Sequence, residues 1–451
     1  LPNFKELPYR DPWAVMQCFG RDAWSIFIDS ASGARYSYIA RDPFQVLQLS
    51  DSDIDPWSWL QYHLQAYQLE TIQDIPPFQG GAMGVLSYAL GSQQLGVAKA
   101  RPQGLKLPLL SFGLYDALLS FDHETRRCFA VSTGLPAKGM VERRARAQSR
   151  LEALIHRYEQ ALRQKIPAAK AIAVGKLRSN FTAAEYMQAV ETCRQKIYAG
   201  DCFEVNISQH LQAPLVSSNH PLDIYAALRA KNPSPYAAYM HMQDWVLASN
   251  SPECFIKKQG LLLETCPIKG TIARAANPQC DRQRKATLRH AVKDHAEHLM
   301  IVDLLRNDLA KIALPHSIEV KEYAKLCTFS TVHHLVSKIQ ACQKPGLSVA
   351  DILKALFPGG SITGAPKKRA MEIIAEIESS CRGAYCGAHG MIGFDGDMHL
   401  AITIRSAIIQ NQSLHYQAGG AVILQSDPWL EYQETLDKAQ TFFDAFAMQL
   451  G

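Results

Sequence analysis

The first third of this 451-residue chain is written in strand-length pieces, and that constrains its fold more than any other feature. Ala23 to Asp29, Phe44 to Leu49 and Ala117 to Phe121 are short apolar runs between turn residues, with a glycine cluster at Gly80, Gly81 and Gly84. Strands this short bury little alone and need partners, so the pattern predicts an antiparallel sheet. From Met140 to about Lys165 the composition turns to Arg, Ala, Leu, Glu and Gln with apolar residues at helical spacing, and Ile166-Pro167-Ala-Ala-Lys170 follows. A linker placed there divides the chain into regions 1–165 and 175–451.

The second region mixes helices with alternating strands, an α+β pattern. Thr182 with Glu185 three residues on forms a capping box, predicting a helix to about Tyr198 that stops at Gly200. Leu400-Ala-Ile-Thr-Ile-Arg-Ser-Ala-Ile-Ile409 reads as one strand with Thr403 and Arg405 on one face. A helix opened by Ser426 or Asp427, with Pro428 at its first position, carries Glu431, Glu434 and Lys438 on one stripe.

Composition excludes several classes. Apolar residues make up 47% and charged residues 20%, as in folded globular proteins, and the net charge of +5 is spread rather than gathered into a phosphate-tracking stripe. No nucleic-acid partner is expected. No apolar run approaches the roughly eighteen residues of a membrane helix, and Leu1 to Asp11 carry charge and proline instead of a signal-peptide stretch, so no membrane association and a cytoplasmic location are expected. Eleven cysteines, an odd count with no C-x-x-C pair, fit reduced thiols.

Two familiar motifs fail. Gly359-Gly-Ser-Ile-Thr-Gly364 has half a phosphate-loop spacing but places Ala365 where the lysine belongs, and His295-Ala-Glu297-His298 has the wrong order for a zinc-protease helix. Other residues have an ordinary structural explanation singly and a chemical one together. Glu297 lies on a helix with a polar end, and Glu431 and Glu434 stand three apart on another; if the two faces converge, Glu297 and Glu434 supply oxygen ligands for magnesium. Lys269 follows the apolar Leu261-Leu-Leu263, so desolvation is expected to lower its pKa toward nucleophilic use. His334 reads as an interior histidine or a site residue, Arg405 as an ion pair or a carboxylate ligand, and Gly419-Gly420 as a bulge, a turn or a close backbone approach to an anion.

In this order the segments resemble the chorismate-utilising enzymes, which include anthranilate synthase component I, aminodeoxychorismate synthase component I, isochorismate synthase and salicylate synthase. The resemblance rests on Gly200-Asp-Cys-Phe-Glu-Val-Asn-Ile-Ser208, Ser251-Pro-Glu-Cys-Phe255, Pro267-Ile-Lys-Gly-Thr271, Ala296-Glu-His-Leu-Met-Ile-Val-Asp-Leu-Leu-Arg-Asn-Asp308, His334-Leu-Val-Ser337, Phe357-Pro-Gly-Gly-Ser-Ile-Thr-Gly-Ala-Pro-Lys367, Ile402-Thr-Ile-Arg405 and Glu431-Tyr-Gln-Glu-Thr-Leu-Asp-Lys438. It implies an anthranilate synthase component I-like fold, antiparallel sheets forming a central β-sandwich with helices outside. Residues 175–451 would then form the chorismate-binding catalytic part.

Position 269 selects the branch. The anthranilate synthases resemble this segment with alanine there, the aminodeoxychorismate synthases with lysine, which implies amination of chorismate at ring carbon 4 to give 4-amino-4-deoxychorismate, for 4-aminobenzoate and folate synthesis; anthranilate synthase component I is the alternative. The resemblance further implies Lys269 as covalent nucleophile and Glu253 as general acid. Mg2+ would sit on Glu297 and Glu434 with Glu431 nearby, and His334, Thr363, Arg405, Gly419, Gly420 and Lys438 would lie at or behind the substrate. It implies ammonia from a separate glutamine amidotransferase subunit, and a tryptophan site, inhibitory or structural, from Ser30, Tyr36 and Asn232-Pro-Ser-Pro-Tyr236 with Pro235 and Tyr236. Glu204 departs from the glutamine usual in the amine-using members, and Ala421 from the family's third glycine.

Overall fold

The computed structural model describes residues 1–50, 54–97, 105–164, 172–216, 219–329 and 332–448. Two large sheets dominate it, built almost wholly from antiparallel neighbours. The larger, of 12 strands, includes Ser25–Asp29, Tyr36–Ala40, Tyr236–His241, Trp245–Ser251, Ser406–Gln410 and Ser413–Val422, and ends on Glu204–Pro214 with the short Gly364–Ala365 at its edge. The smaller, of 10 strands, runs from an edge formed by Ile268–Ala273 through Val332–Cys342, Leu262–Cys266, Cys254–Gln259, Met398–Ile402 and Ala388–Gly393 to Gly81–Leu86 and its neighbours.

The sheets face one another. Trp24, Ile26, Tyr38, Met240, Leu247 and Ile408 of the larger pack with Met83, Val85, Tyr115 and Met391 of the smaller in one buried cluster. Helices cover the outer faces, with Phe442, Phe443 and Phe446 of helix Pro428–Phe446 and Leu151, Leu154 and Tyr158 of helix Met140–Arg163 buried against the larger sheet. This is the sandwich with outer helices that the resemblance implies.

Local signals place several helices closely. Thr182 and Glu185 make both hydrogen bonds of the capping box, and the helix runs Ala183–Tyr198. Asp427 caps helix Pro428–Phe446 by accepting from the Leu430 amide. The proposed linker, 166–170, lies outside the described residues. Regions 1–165 and 175–451 do not build separate sheets: Ser25–Asp29 pairs with Tyr236–His241, and Gly81–Leu86 with Ala388–Gly393.

The single strand expected over 400–409 is broken. Met398–Ile402 belongs to the smaller sheet and Ser406–Gln410 to the larger, and between them Arg405 takes a left-handed φ of 53°. The chain crosses from one sheet to the other at Thr403–Arg405, and the turned backbone forbids one face from carrying both side chains in strand geometry. The described cysteines are free thiols, and no helix among the described residues is long and apolar enough to cross a membrane.

Candidate active site

Lys269 lies on the edge strand of the smaller sheet, where pairing with Val332–Cys342 slips register between Lys269 and Thr271. Gly270, at the slip, has φ 71°, and a Cβ there would press Leu288, Leu335 and Asp294 at 3.1–3.3 Å. Such a bulge bends an edge strand and re-aims its side chains, and only glycine fits this one without strain. Lys269 Nζ reaches across to the edge of the larger sheet and donates to Glu204 Oε1 at 3.3 Å, with side chains 14% and 3% exposed. The site therefore sits where the edge strand of the smaller sheet meets the Glu204 end of the larger one, whose edge is closed by Gly364–Ala365.

The charge state of Lys269 corrects the sequence reading. Burial does work to lower its pKa, as expected, but the carboxylates of Glu204, Glu297, Glu434 and Glu253 outweigh burial and raise it above the usual lysine value. The amine is a held ammonium here. No single sequence window reveals this, because its acidic neighbours come from four distant segments.

Glu253 behaves in the opposite way. It is buried at 5% exposure, accepts from Ser361 Oγ at 2.7 Å on Oε1, and desolvation pushes its pKa up to about 7 against the pull of Ser361, Lys269 and Lys438. A carboxyl that keeps its proton near neutral pH can give it to a leaving group. Ser361 belongs to the turn Gly360–Ile362, in the same glycine-rich segment as Thr363. Thr363 is fully buried and donates to the Gly359 carbonyl at 3.0 Å.

His334 is paired opposite Thr271, whose hydroxyl shares a 2.8 Å hydrogen bond with His334 Nδ1. Burial, aided by the Arg405 charge, depresses its pKa to about 4, so the ring is neutral at neutral pH. Arg405 Nη1 donates to the Lys438 carbonyl at 2.6 Å, which anchors the crossing between sheets to helix Pro428–Phe446.

Gly419 and Gly420 form neither a turn nor a bulge. They sit in regular pairing opposite Ser208 and Ile207. A Cβ on Gly419 would collide with the Ile207 carbonyl, and one on Gly420 would stand 3.1 Å from Glu431 Oε2 and 3.7 Å from Glu434 Oε2. The missing side chain at 420 thus leaves a cradle under two carboxylates. Glu431 is buried and accepts from Ser426 Oγ at 2.7 Å; Glu434 pairs with Lys438 at 2.5 Å, and Lys438 also donates to the Gly419 carbonyl at 2.9 Å. Glu297 approaches from helix Val292–Ala310 and acts with Glu434 on Lys269. Among the described residues no group of three or more acidic, histidine or cysteine side chains is placed to hold a metal ion.

The residues expected at a tryptophan site, Ser30, Tyr36, Pro235 and Tyr236, form a second group. Strand pairing brings Ser30, Tyr36 and Tyr236 to one end of the larger sheet, since Ile28 is opposite Tyr38 and Asp29 opposite Ala237, with Pro235 just ahead. Ser30 Oγ lies 2.9 Å from Ser37 Oγ, and Asp29 accepts from Tyr225 and Arg229. The contact of Glu204 with Lys269 is not foreseeable from the sequence, which shows only an acidic residue where the amine-using members carry glutamine.

The profile of the chorismate binding enzymes matches residues 24–444. Aminodeoxychorismate synthase component 1 of Salmonella typhimurium is 38% identical over 386 residues, 85% of this chain and 81% of that protein. Anthranilate synthase component 1 of Streptomyces coelicolor is 35% identical over 452 residues, 96% of this chain and 85% of that protein. The crystal structure of anthranilate synthase component I from Streptococcus pneumoniae superposes with a TM-score of 0.79 at 30% identity, covering 90% of this chain and 92% of that one. With residues 24–444 matched by the profile and 85% of its length aligned to a relative 38% identical, the chain belongs to the chorismate-binding enzymes.

Proposed function

We propose that this chain converts chorismate and ammonia to 4-amino-4-deoxychorismate, the precursor of 4-aminobenzoate, in the cytoplasm. The observation that carries the reading is Lys269, a largely covered amine 3.3 Å from Glu204 in the same carboxyl-lined site as Glu253. Relatives of both names, aminodeoxychorismate and anthranilate synthase, share similar identity with the chain, so the side chain at 269 decides between them.

In this mechanism Lys269 first loses its proton to solvent, the ionisation that the pH profile below reads, and the neutral amine then attacks ring carbon 2 as the hydroxyl on carbon 4 departs. Glu253 supplies the proton that lets the hydroxyl leave as water. Ammonia then forms a bond to carbon 4 and the lysine nitrogen leaves carbon 2, so two allylic displacements replace one substitution. Arg405, His334, Thr363 and the backbone of Gly419-Gly420 orient the substrate, and Lys438 braces the glycine strand.

The carboxylates acting on Lys269 call for positive charge before an anionic substrate can settle among them. Glu297 and Glu434, with Glu431 beside the Gly420 cradle, fit a Mg2+ ion, which takes one or two carboxylates and fills its other positions with water and substrate oxygens. When bound, the ion would stabilise charge at the substrate carboxylate and offset the field that keeps Lys269 protonated. Chelation is expected to abolish turnover and added Mg2+ to restore it, read as chorismate consumption; undiminished activity in excess chelator would remove the ion from the scheme.

The relatives' designation as component 1 supports a second component, to which we assign delivery of ammonia as a glutamine amidotransferase. Tryptophan is the proposed ligand of Ser30, Tyr36, Pro235 and Tyr236. The deciding test is mass spectrometry of the product from purified chain, chorismate, ammonium and Mg2+, in which anthranilate as sole product would refute the assignment.

Glu204 sets a pH prediction. Its carboxylate contributes most to holding Lys269 charged. Glu204→Gln keeps a hydrogen-bond acceptor and removes that charge, so the rising limb of log kcat/KM against pH is expected to move about one unit or more toward acid. An unmoved limb would show that another group controls it.

A further inference from the structure

The buried pair of Arg382 and Glu378 takes no part in the chemistry above, yet its hydrogen bonds end on the segments that carry the substrate contacts. Both side chains are about 4% exposed. Arg382 Nε and Nη2 bind the two oxygens of Glu378 at 2.9 and 2.7 Å, a bidentate fork. The guanidinium then donates to the Asn206 carbonyl at 2.6 Å and the Ile362 carbonyl at 3.3 Å. Glu378 Oε1 also accepts from the Ser208 amide and hydroxyl at 2.8 and 2.9 Å.

These backbone groups border the site. Ile362 precedes Thr363, and the Asn206 amide donates to the Thr363 carbonyl at 2.9 Å. Ser208 is paired with Gly419 and Ile207 with Gly420. One fork thereby fixes the Thr363 turn against the strand that backs the two glycines. The rings of Tyr88 and Tyr385 lie 4.7 and 5.7 Å from the guanidinium carbon and close the pocket around it. Buried ion pairs add little stability over apolar residues of equal volume, so stability alone gives no reason for one here.

We infer that Arg382, acting through Glu378, is a positioning residue for chorismate: it sets the distance between the Thr363 turn and the Gly419-Gly420 strand, and so the width of the substrate seat. The inference rests on the reading that those residues touch the substrate. Lys269 lies on the other sheet and receives no bond from the pair, so the effect falls on binding rather than on the chemical step.

The test uses the full chain and Arg382→Lys, which keeps the charge and loses the fork. Chorismate binding is measured by calorimetry with Mg2+, alongside KM, kcat and thermal unfolding. The expected result is a folded variant with chorismate Kd and KM raised about tenfold and kcat within about threefold of the parent. Unchanged Kd and KM with only a lower unfolding temperature would reduce the pair to a structural role and overturn the inference. If the lysine variant fails to fold, Glu378→Gln is judged by the same criteria, and failure of both to fold also overturns it. A parent chain that binds chorismate but forms no aminated product would sink the proposed function and leave this inference standing, whereas a parent that binds none would sink both.

Discussion

Lys269→Ala is expected to lower formation of 4-amino-4-deoxychorismate about a thousandfold, roughly 4 kcal/mol of transition-state stabilisation, because the route through carbon 2 needs a bond that alanine cannot make. The loss should be specific rather than general. Glu253, the acidic residues of the two helices and the glycine strand all remain, and only Glu204 loses its ion-pair partner. Residual turnover is therefore expected to shift toward direct amination at carbon 2, giving anthranilate. Mass spectrometry resolves the outcomes: retained 4-amino product at near-parental rate would eliminate Lys269 as nucleophile.

Glu253→Gln should separate activity from stability. Glutamine fills the same space and still accepts from Ser361, but it has no proton to give, and the rate is expected to drop by about two to four orders of magnitude. Stability moves the other way. Below about pH 4.5 the carboxyl is neutral in folded and unfolded chains alike; as pH rises, the unfolded chain ionises first, while burial keeps the folded carboxyl protonated to about pH 7. The folded state thus loses on the order of 3 kcal/mol across that window. The glutamine variant escapes this loss, so its unfolding temperature should exceed the parent's at pH 7.5 and match it near pH 4. Equal unfolding temperatures at pH 7.5 would mean that Glu253 is not kept protonated by burial.

Both outcomes depend on features that differ in how legible they were beforehand. Caps are local, and Thr182 with Glu185, or Asp427 with Pro428, announced their helices almost to the residue. The candidate site residues form an ordered set in the sequence because each sits in a distinctive short segment. What linked them was not. Nothing local in Leu400 to Ile409 shows a sheet crossing, since the left-handed turn at Arg405 is imposed by the two sheets it joins. The charge on Lys269 was misjudged for a related reason: desolvation can be guessed from neighbouring apolar residues, whereas the opposing field comes from Glu204, Glu297 and Glu434, brought close only by folding. Gly419 and Gly420 read as a bulge, a turn or a close approach to an anion, and the empty space at Gly420 under Glu431 and Glu434 needs the helix to be in place.

The interleaving of early and late strands has a consequence for biogenesis. Ser25–Asp29 waits for Tyr236–His241, Gly81–Leu86 waits for Ala388–Gly393, and the outer face of the larger sheet waits for Phe442 and Phe443. Each early strand has one local partner, Tyr36–Ala40 for the first and Leu110–Tyr115 for the second, so a nascent chain emerging from the ribosome must keep their other edges open to wrong partners for hundreds of residues. Slow assembly and reliance on chaperones during synthesis follow, and a cut between residues 165 and 175 should yield two fragments that precipitate separately yet recover solubility when produced together.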